Sequence, residues 1–284
     1  MTLMEALERA MTDEWLPVLT EGIKARRVVP YLGPGMLGLI PDAPVPATPE
    51  ALVAQLVVKA TVPHKIRNRL TQAAQFIENF KHRKTVVSLM NEAFARVPEP
   101  SEFHRWLARM APPLVVESWY DDTLTAAFRQ VRGSADWGQV QGLAQSEHFG
   151  TWTAFYDARG QLADAAPAWT SLVYRPIGGH APAGNYLVSD SDYVEVLTEI
   201  DIQTPIPAEV QQLRAGKSFL FLGCRFNDQL TRSFARQIMK RSGDQHWAVL
   251  PETPTRMEAR FLEENNVTRI ARPLADVAAL LQRA

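Results

Sequence analysis

Cysteine is nearly absent from this sequence of 284 residues, which holds a single one, Cys224. One thiol excludes an internal disulfide and any zinc cluster built from cysteines. No window reaches the roughly 18 uncharged apolar residues of a membrane-spanning helix. The N-terminal stretch carries acidic side chains early, which is not typical of a signal peptide. We therefore expect a soluble, cytoplasmic protein without a bound metal.

The chain also lacks an excess of charge of either sign, because 30 Lys and Arg stand against 31 Asp and Glu. This balance argues against general nucleic-acid or membrane-surface binding, although a local basic patch is compatible with it. Two basic stretches, "PHKIRNRL" and "FKHRK", occur between residues 63 and 84. Hydrophobic residues make up 46% of the chain, which is enough for a sizeable packed core.

Apolar segments of strand length alternate with amphipathic helical patterns along most of the chain. The expected strands are 28–32, 114–118, "SLVYRPIGG" from residue 171, 217–223, 246–251 and "NVTRIA" from residue 266. The expected helices include 3–25 with a kink or break at Pro17, then 49–60, 64–80, 84–96, 100–110, 121–131 and 254–264. This alternation predicts an α/β fold with a Rossmann-like doubly wound parallel sheet and a helical insertion.

We expect one domain over residues 1–284. Its Rossmann-like core is expected at 26–48 and 111–284, with the helical insertion at 49–110 between them. Residues 132–170 are rich in Gly, Ser, Ala and aromatic side chains, and they predict an irregular insertion. Within that stretch, "WTAFYDARGQLAD" is compatible with a hairpin that turns at 158–160.

Ligands of doubly wound folds bind where parallel strands end, and the first two such loops here are "YLGPGM" and "ESWYDD". Gly33 and Gly35 would allow a phosphate to approach the backbone, but Gly-Pro-Gly also makes an ordinary turn. In the second loop Glu117, Asp121 and Asp122 could serve as acid–base groups. Capping of the following helix by Asp121 or Asp122 is the stronger interpretation.

The third and fourth loops are "YRPIGGH" and "FLFLGCRFNDQL". His180 could act as a general base, although a lone histidine in such a loop is more often simply exposed. Gly223 permits close approach of a ligand, and Asp228 could cap a helix or hold a ribose hydroxyl. Cys224 lies near a helix N-terminus, which can lower a thiol pKa, but a partly buried and inert thiol is the interpretation that we favour.

Taken in order, these loops resemble the SIR2-like family, the sirtuin-related NAD-binding domains found in many bacterial proteins. Its glycine loop, Thr-Thr-Asn-Tyr-Asp strand end, Lys-Leu-His-Gly segment, Thr-x-x-Asp-Tyr segment and Leu-Phe-Leu-Gly-Tyr-Ser-x-x-Asp strand end have counterparts from about residue 26 to 284. Those counterparts are Gly33-Pro34-Gly35, Glu117 to Asp121, Arg175 to Gly178, Ser189 to Tyr193 and Leu220 to Asp228. The resemblance implies that NAD or ADP-ribose could contact Gly33, Gly35, Tyr120, Asp121, Gly178, Gly223, Cys224 and Asp228.

The chain departs from the family at the positions that carry its chemistry. Trp119 stands where the family has the asparagine that positions water or the nicotinamide ribose, and Ile177 stands where it has the histidine base. Neither side chain takes up a proton or orients water. Pro34 also removes one backbone N–H from the glycine loop. The family's zinc module is missing, as in its SIR2-like branch, and the helices at 49–96 take the equivalent place.

Three functions are compatible with this pattern. The first is a catalytically degenerate SIR2-like protein that binds NAD or ADP-ribose as a sensor or acts as an accessory scaffold. The second is an active NAD hydrolase of the anti-phage type, with His180 as a relocated base and Glu117 helping to orient water. The third is a pure protein-interaction module with a closed pocket, whose basic insertion offers a surface to an acidic partner. The sequence does not identify a partner or an oligomeric state.

Overall fold

The computed structural model describes residues 14–134, 136–164, 169–199 and 205–284. Its strands are β1 Val28–Leu32, β2 Leu114–Glu117, β3 Trp137–Gly142, β4 Thr153–Asp157, β5 Leu162–Ala163, β6 Ser171–Arg175, β7 Gly178–Gly179, β8 Asn185–Tyr186, β9 Ser218–Leu222, β10 His246–Val249 and β11 Val267–Ile270. Its helices are α1 Trp15–Lys24, α2 Pro49–Lys59, α3 Leu70–Lys81, α4 Arg83–Ala93, α5 Glu102–Met110, α6 Thr123–Arg132, α7 Asp190–Glu199, α8 Ala208–Arg214, α9 Gln229–Met239, α10 Arg256–Glu264 and α11 Leu274–Arg283.

A nine-stranded sheet in the order β11-β10-β9-β1-β2-β6-β3-β4-β5 forms the centre of the molecule. The strands from β11 to β3 are parallel to their neighbours, and β4 and β5 add antiparallel pairs at one edge. The strands β7 and β8 form a separate two-stranded ribbon. The predicted α/β fold with a doubly wound parallel sheet is confirmed.

Alternate residues of the central strands point into two hydrophobic cores on opposite faces of the sheet. Val28 and Leu32 face the core shared with α1, α5, α6 and α11, whereas Val29 and Tyr31 face the core shared with α2 to α4 and α7 to α10. Because both faces are covered, β9 is apolar and buried at four consecutive residues, from Phe219 to Leu222. The first three helices of the insertion, α2 to α4, therefore pack over one face of the sheet, whereas its last helix, α5, packs over the other.

Two helix boundaries differ from the sequence expectation. Residues 64–69 do not open the second insertion helix, because the N–H groups of Ile66 and Arg69 close turns onto Pro63 and Ile66. The helix begins at Leu70 instead. The predicted helix 3–25 is present from Trp15, with Pro17 in its first turn, where proline is tolerated. The part of that prediction before residue 14 lies outside the described residues.

The expectation of an irregular insertion at 132–170 is wrong for its described part, which contains β3, β4 and β5. The strand β3 lies inside the sheet and pairs with both β6 and β4. The sequence does not predict this strand because two of its residues are glycines, a residue type that normally weakens strands. A Cβ on Gly138 would lie 2.4 Å from the Trp169 ring, and one on Gly142 would lie 2.1 Å from the Pro176 carbonyl oxygen. The predicted hairpin turn at 158–160 is confirmed, since β4 and β5 flank it.

Candidate functional site

Three of the four predicted loops meet at the carboxyl edge of the sheet. In the parallel register Leu32 lies between Glu117 and Leu222, so the residues that follow β1, β2 and β9 are neighbours. The backbone N–H of Ser118 donates to the Leu32 carbonyl oxygen at 2.8 Å. The remaining loop, which begins at Pro176, follows β6, and β6 pairs with β2. We call the region between Gly33, Trp119, Ile177 and Gly223 the strand-end site.

The glycine loop is packed tightly against the end of β9. A Cβ on Gly33 would lie 2.6 Å from the Gly223 carbonyl oxygen, and one on Gly35 would lie 2.9 Å from the Gly223 Cα. Gly223 itself has a φ of +66°, and its Cβ would meet the Met36 nitrogen at 2.5 Å. These glycines are therefore required by the approach of two backbone segments to each other.

The N–H groups that could receive a phosphate are already hydrogen-bonded within the protein. Gly33 donates to the Leu222 carbonyl oxygen and Gly35 to that of Gly223, both at 2.9 Å. Met36 donates to the Gly33 carbonyl oxygen at 3.1 Å, and Pro34 has no N–H. Phosphate-binding loops depend on backbone N–H groups that point at the ligand. The arrangement of this loop favours its interpretation as a structural turn.

Trp119 is buried at the strand-end site. Its side chain is 4% exposed, and its indole N–H donates to the carbonyl oxygen of Pro46 at 2.8 Å. The ring meets Phe94 edge-on at a centroid distance of 5.9 Å and lies 5.0 Å from the Tyr120 ring. Because indole has only this one donor, the polar capacity of Trp119 is used up inside the protein.

Ile177 and Tyr120 belong to the same core. Ile177 is 5% exposed, and its carbonyl oxygen accepts the N–H of Leu187 at 2.9 Å. The Tyr120 hydroxyl donates to the Leu187 carbonyl oxygen at 2.7 Å. Burial raises the pKa of Tyr120 well above its ordinary value. Both positions therefore join the chain segment after β8 to the strand ends.

The remaining predicted contacts of a nucleotide have structural partners. Gly178 has a φ of +76°, and a Cβ there would lie 2.2 Å from the Asn185 carbonyl oxygen in the β7–β8 ribbon. The Asp121 carboxylate accepts the N–H of Thr123 at 3.0 Å and also its hydroxyl. Burial raises the pKa of Asp121 despite these bonds. Of the two acids predicted to cap the next helix, Asp121 thus accepts its first N–H from the position before the N-cap, whereas Asp122 at the N-cap makes no such bond.

Cys224 and Asp228 follow the end of β9 but lie in different environments. The Cys224 thiol is buried and lies 3.6 Å from the carbonyl oxygens of Tyr31 and Leu222. Burial raises the pKa of this thiol, in agreement with the inert interpretation. Asp228 is exposed and caps α9 by accepting the N–H groups of Leu230 and Thr231 at 2.9 and 3.2 Å.

A buried cluster of charged side chains, which the sequence does not predict, lies beside the strand-end site. Arg175, whose side chain is fully buried, lies 2.8 Å from an oxygen of Asp122 and 3.3 Å from an oxygen of Glu117. The same guanidinium donates to the backbone oxygens of Tyr120 and Asp121 at 3.0 and 2.6 Å. Asp122 therefore turns towards Arg175 instead of capping α6. The only sequence signal was an arginine placed directly at the end of an apolar strand.

The two carboxyl groups of this cluster differ in the direction of their pKa shifts. Burial opposes ionisation of Asp122, but Arg175 and His180 outweigh it and hold the pKa of Asp122 below its ordinary value. Burial raises the pKa of Glu117 well above its ordinary value, and the shared charge of Arg175 offsets this only in part. Asp122 is thus the firmly ionised partner of Arg175.

His180 contacts this cluster from the protein surface. Its Nδ1 lies 3.1 Å from the second oxygen of Asp122, and its side chain is 26% exposed. The backbone N–H of His180 donates to the Tyr120 carbonyl oxygen at 2.9 Å. A carboxylate on one imidazole nitrogen fixes the tautomer and the orientation of the ring. The structure therefore gives His180 the partner that a general base needs.

The fold and the strand-end loops define a nucleotide-binding type of α/β domain. The sequence profile of the SIR2-like domain family matches residues 113–270, more than half of the chain. The chain belongs to the SIR2-like family.

A solved structure described as "Structural Basis for the Mechanism and Regulation of Sir2 Enzymes" aligns with 94% of this chain and 97% of that chain, at 13% sequence identity and a TM-score of 0.39. A search of curated proteins finds no match.

Two further features of the described residues bear on the sequence expectations. In that part of the chain, no helix has the length and apolar character needed to cross a bilayer. Groups of three or more His, Cys, Asp or Glu with metal-binding geometry are also absent from the described ranges.

Proposed function

We propose that this chain is a SIR2-like protein that does not cleave NAD and acts as an accessory protein-binding scaffold. The observation that carries the proposal is the burial of Trp119 in the strand-end site, with its N–H bonded to Pro46. In the family to which this chain belongs, the resemblance assigns that position to an asparagine that contacts water or the nicotinamide ribose. An indole in its place offers neither an acceptor nor a second donor.

The second family position supports the same conclusion. Ile177 replaces the histidine base and is 5% exposed within the apolar core. An alkyl side chain cannot take a proton from attacking water. Without the asparagine and the histidine, the reaction centre has neither a group that orients the attacking water nor a base. Displacing a catalytic group by about 1 Å alone costs roughly 100-fold in rate.

Between the two forms of a degenerate protein, the geometry favours a scaffold over a nucleotide sensor. A sensor needs N–H groups free for a phosphate, but those of Gly33 and Gly35 are bonded to β9 and its loop. It also needs room for a ribose, and Trp119 occupies that position with the Phe94 and Tyr120 rings against it. The alternative is a sensor of NAD or ADP-ribose, and measured binding of either nucleotide would favour it.

Calorimetric titration with NAD and with ADP-ribose tests this proposal. We expect no saturable heat from the wild-type protein and no nicotinamide release. The variant Trp119→Asn, checked for folding by circular dichroism, serves as the control because it opens the site and restores the family residue. Saturable heat in the wild type would show that the protein binds the nucleotide and would favour the sensor function over the scaffold. Continuous heat with nicotinamide release would show that the protein is an enzyme.

One observation favours a second function, NAD hydrolysis with His180 as base. In that reaction water attacks the ribose carbon that carries nicotinamide, nicotinamide leaves, and His180 accepts a proton from the water. The 3.1 Å contact between His180 and Asp122 supports this role. The test is nicotinamide release by wild type, His180→Ala and the control His148→Ala, whose side chain is exposed. Activity lost only in His180→Ala would establish the hydrolase.

A further inference from the structure

Basic residues are concentrated in one part of the helical insertion. Residues 59–84 contain seven Lys and Arg and one Glu, whereas the whole chain has 30 Lys and Arg against 31 Asp and Glu. The rest of the chain is therefore net acidic. The single acid of the segment, Glu78, lies 3.3 Å from Arg83 and is turned inward with it. Lys59 pairs with Glu92, and the other cations give this part of the insertion a positive surface.

A pair of aromatic rings lies between these cations. Phe76 and Phe80 are four residues apart on α3, so they lie on the same face of the helix. Their ring centroids are 4.4 Å apart, and Phe80 is 71% exposed. The adjoining stripe of the helix, three residues before each ring, is anchored in the core through Ala73 and Ile77. Phe76 and Phe80 are therefore held on a rigid element while one ring faces solvent.

Charged residues frame this pair at both ends of α3. Arg69 precedes the helix and contacts Gln72, one turn before Phe76. Lys81 and Lys84, both exposed, follow Phe80 at the turn into α4. Further basic side chains precede the helix at exposed positions, namely Lys65 and Arg67. An apolar patch with a polar charged rim is the arrangement found at protein-interaction sites.

We propose that this face, Arg69 to Lys84 of the insertion, is a docking surface for an acidic amphipathic segment of a partner protein. Apolar side chains of the partner would cover Phe76 and Phe80, and its carboxylates would face Arg69, Lys81 and Lys84. A protein segment fits better than a nucleic acid for two reasons. The Phe rings pack against each other in a tilted arrangement and leave less π-face for bases. The net acidic remainder of the chain also repels a long polyanion.

This surface is made of residues of the insertion and includes none of those that define the strand-end site, so the inference does not depend on whether NAD is cleaved. It supplies the partner contact that the proposed scaffold requires. Failure of the two proposals can be told apart, because substitutions at Phe80 should leave the calorimetric response to NAD as it is in the wild type.

Fluorescence anisotropy with a labelled synthetic peptide tests the docking surface. The probe is a peptide with leucines at i, i+4 spacing between two glutamate clusters, and the control peptide carries lysines in place of the glutamates. We expect saturable binding of the acidic peptide only, weakened about tenfold or more by Phe80→Ser and by Lys81→Glu with Lys84→Glu. Raising the ionic strength should also weaken it, because the charges are exposed.

Matched variants at other exposed positions control for general effects. Phe149→Ser and Arg256→Glu remove an exposed ring and an exposed cation elsewhere, and both should bind the peptide within about twofold of wild type. Equal binding of both peptides, or equal weakening by the control variants, would overturn the proposal. So would tighter binding of single-stranded oligothymidylate, or a dimer that Phe80→Ser abolishes, since the occupant would then be nucleic acid or a second copy.

Discussion

The indole N–H of Trp119 donates to the carbonyl oxygen of Pro46 across 73 residues of sequence, at a distance of 2.8 Å. This bond joins the end of β2 to the proline-rich loop that leads into the helical insertion. The same side chain is buried at the strand-end site and therefore attaches the loop before the insertion to the sheet.

Substitution of Trp119 should destabilise the fold in two distinguishable steps. Trp119→Phe leaves the buried Pro46 oxygen without its donor and should cost about 1–3 kcal/mol in the free energy of unfolding. Trp119→Ala also creates a cavity and should cost about 3–5 kcal/mol. Urea unfolding followed by circular dichroism measures both. Trp106→Phe, at a partly exposed position, is the control, and an equal loss there would contradict the role of the Pro46 bond.

Removing Arg175 should be more damaging than removing a surface arginine. Arg175→Met leaves Glu117 and Asp122 buried without a cation, and we expect a loss of about 3–5 kcal/mol at neutral pH. Arg132→Met breaks an ion pair nearer the surface with Asp136 and should cost about 1 kcal/mol or less. Without Arg175 the folded-state pKa values of the two acids rise, so the deficit should shrink as pH falls. Similar losses in both variants would argue against the buried cluster.

His104 predicts a loss of stability in mild acid. Burial, assisted by the charge of Arg105, lowers the pKa of His104 to about 4. The unfolded chain, with a histidine pKa near 6.5, then binds more protons between these values. This contribution is fully present above about pH 6.5 and is lost as pH falls to about 4, on the order of 3 kcal/mol in total. Equilibrium unfolding of wild type and His104→Asn over this range should show a smaller pH slope in the variant. Equal pH slopes of the unfolding free energy in wild type and variant would contradict the role of His104.

The Cys224 thiol should resist modification in the native protein. Because it is buried and its pKa is raised, its reaction with an aromatic disulfide reagent should be at least about 100-fold slower than in urea. The control is Ser146→Cys in a Cys224→Ala background, because position 146 is exposed and its thiol should react readily in both states. Fast native labelling of Cys224 would show that the loop after β9 opens.

Particular residues show what the sequence could predict. Apolar runs such as Ser218–Leu222 identify buried parallel strands directly, because both sheet faces are covered. The strand β3 could not be recognised, since Gly138 and Gly142 are present for close approaches that involve distant residues, Trp169 and Pro176. Its buried glutamines, Gln139 and Gln141, also resemble a surface pattern in sequence.

The candidate site shows the same limit. Glycines, acids and one histidine placed at strand ends predicted which loops meet, and the register of β1, β2 and β9 agrees with that. Whether Gly33 and Gly35 cradle a phosphate or another loop depends on which acceptor their N–H groups reach. The partnership of Arg175 with Asp122 and Glu117 likewise depends on three-dimensional distances that the sequence does not contain.

Arg83 binds the insertion to the rest of the molecule, with its guanidinium 2.9 Å from Asp192 and 3.2 Å from Glu147. It also donates to the backbone oxygen of Tyr186. The insertion is consequently not a detachable module. A deletion of residues 49–110 would leave these acids without their shared cation, so grafting the α3 face onto another protein requires its partner carboxylates as well. Over evolutionary time the two parts are expected to change together.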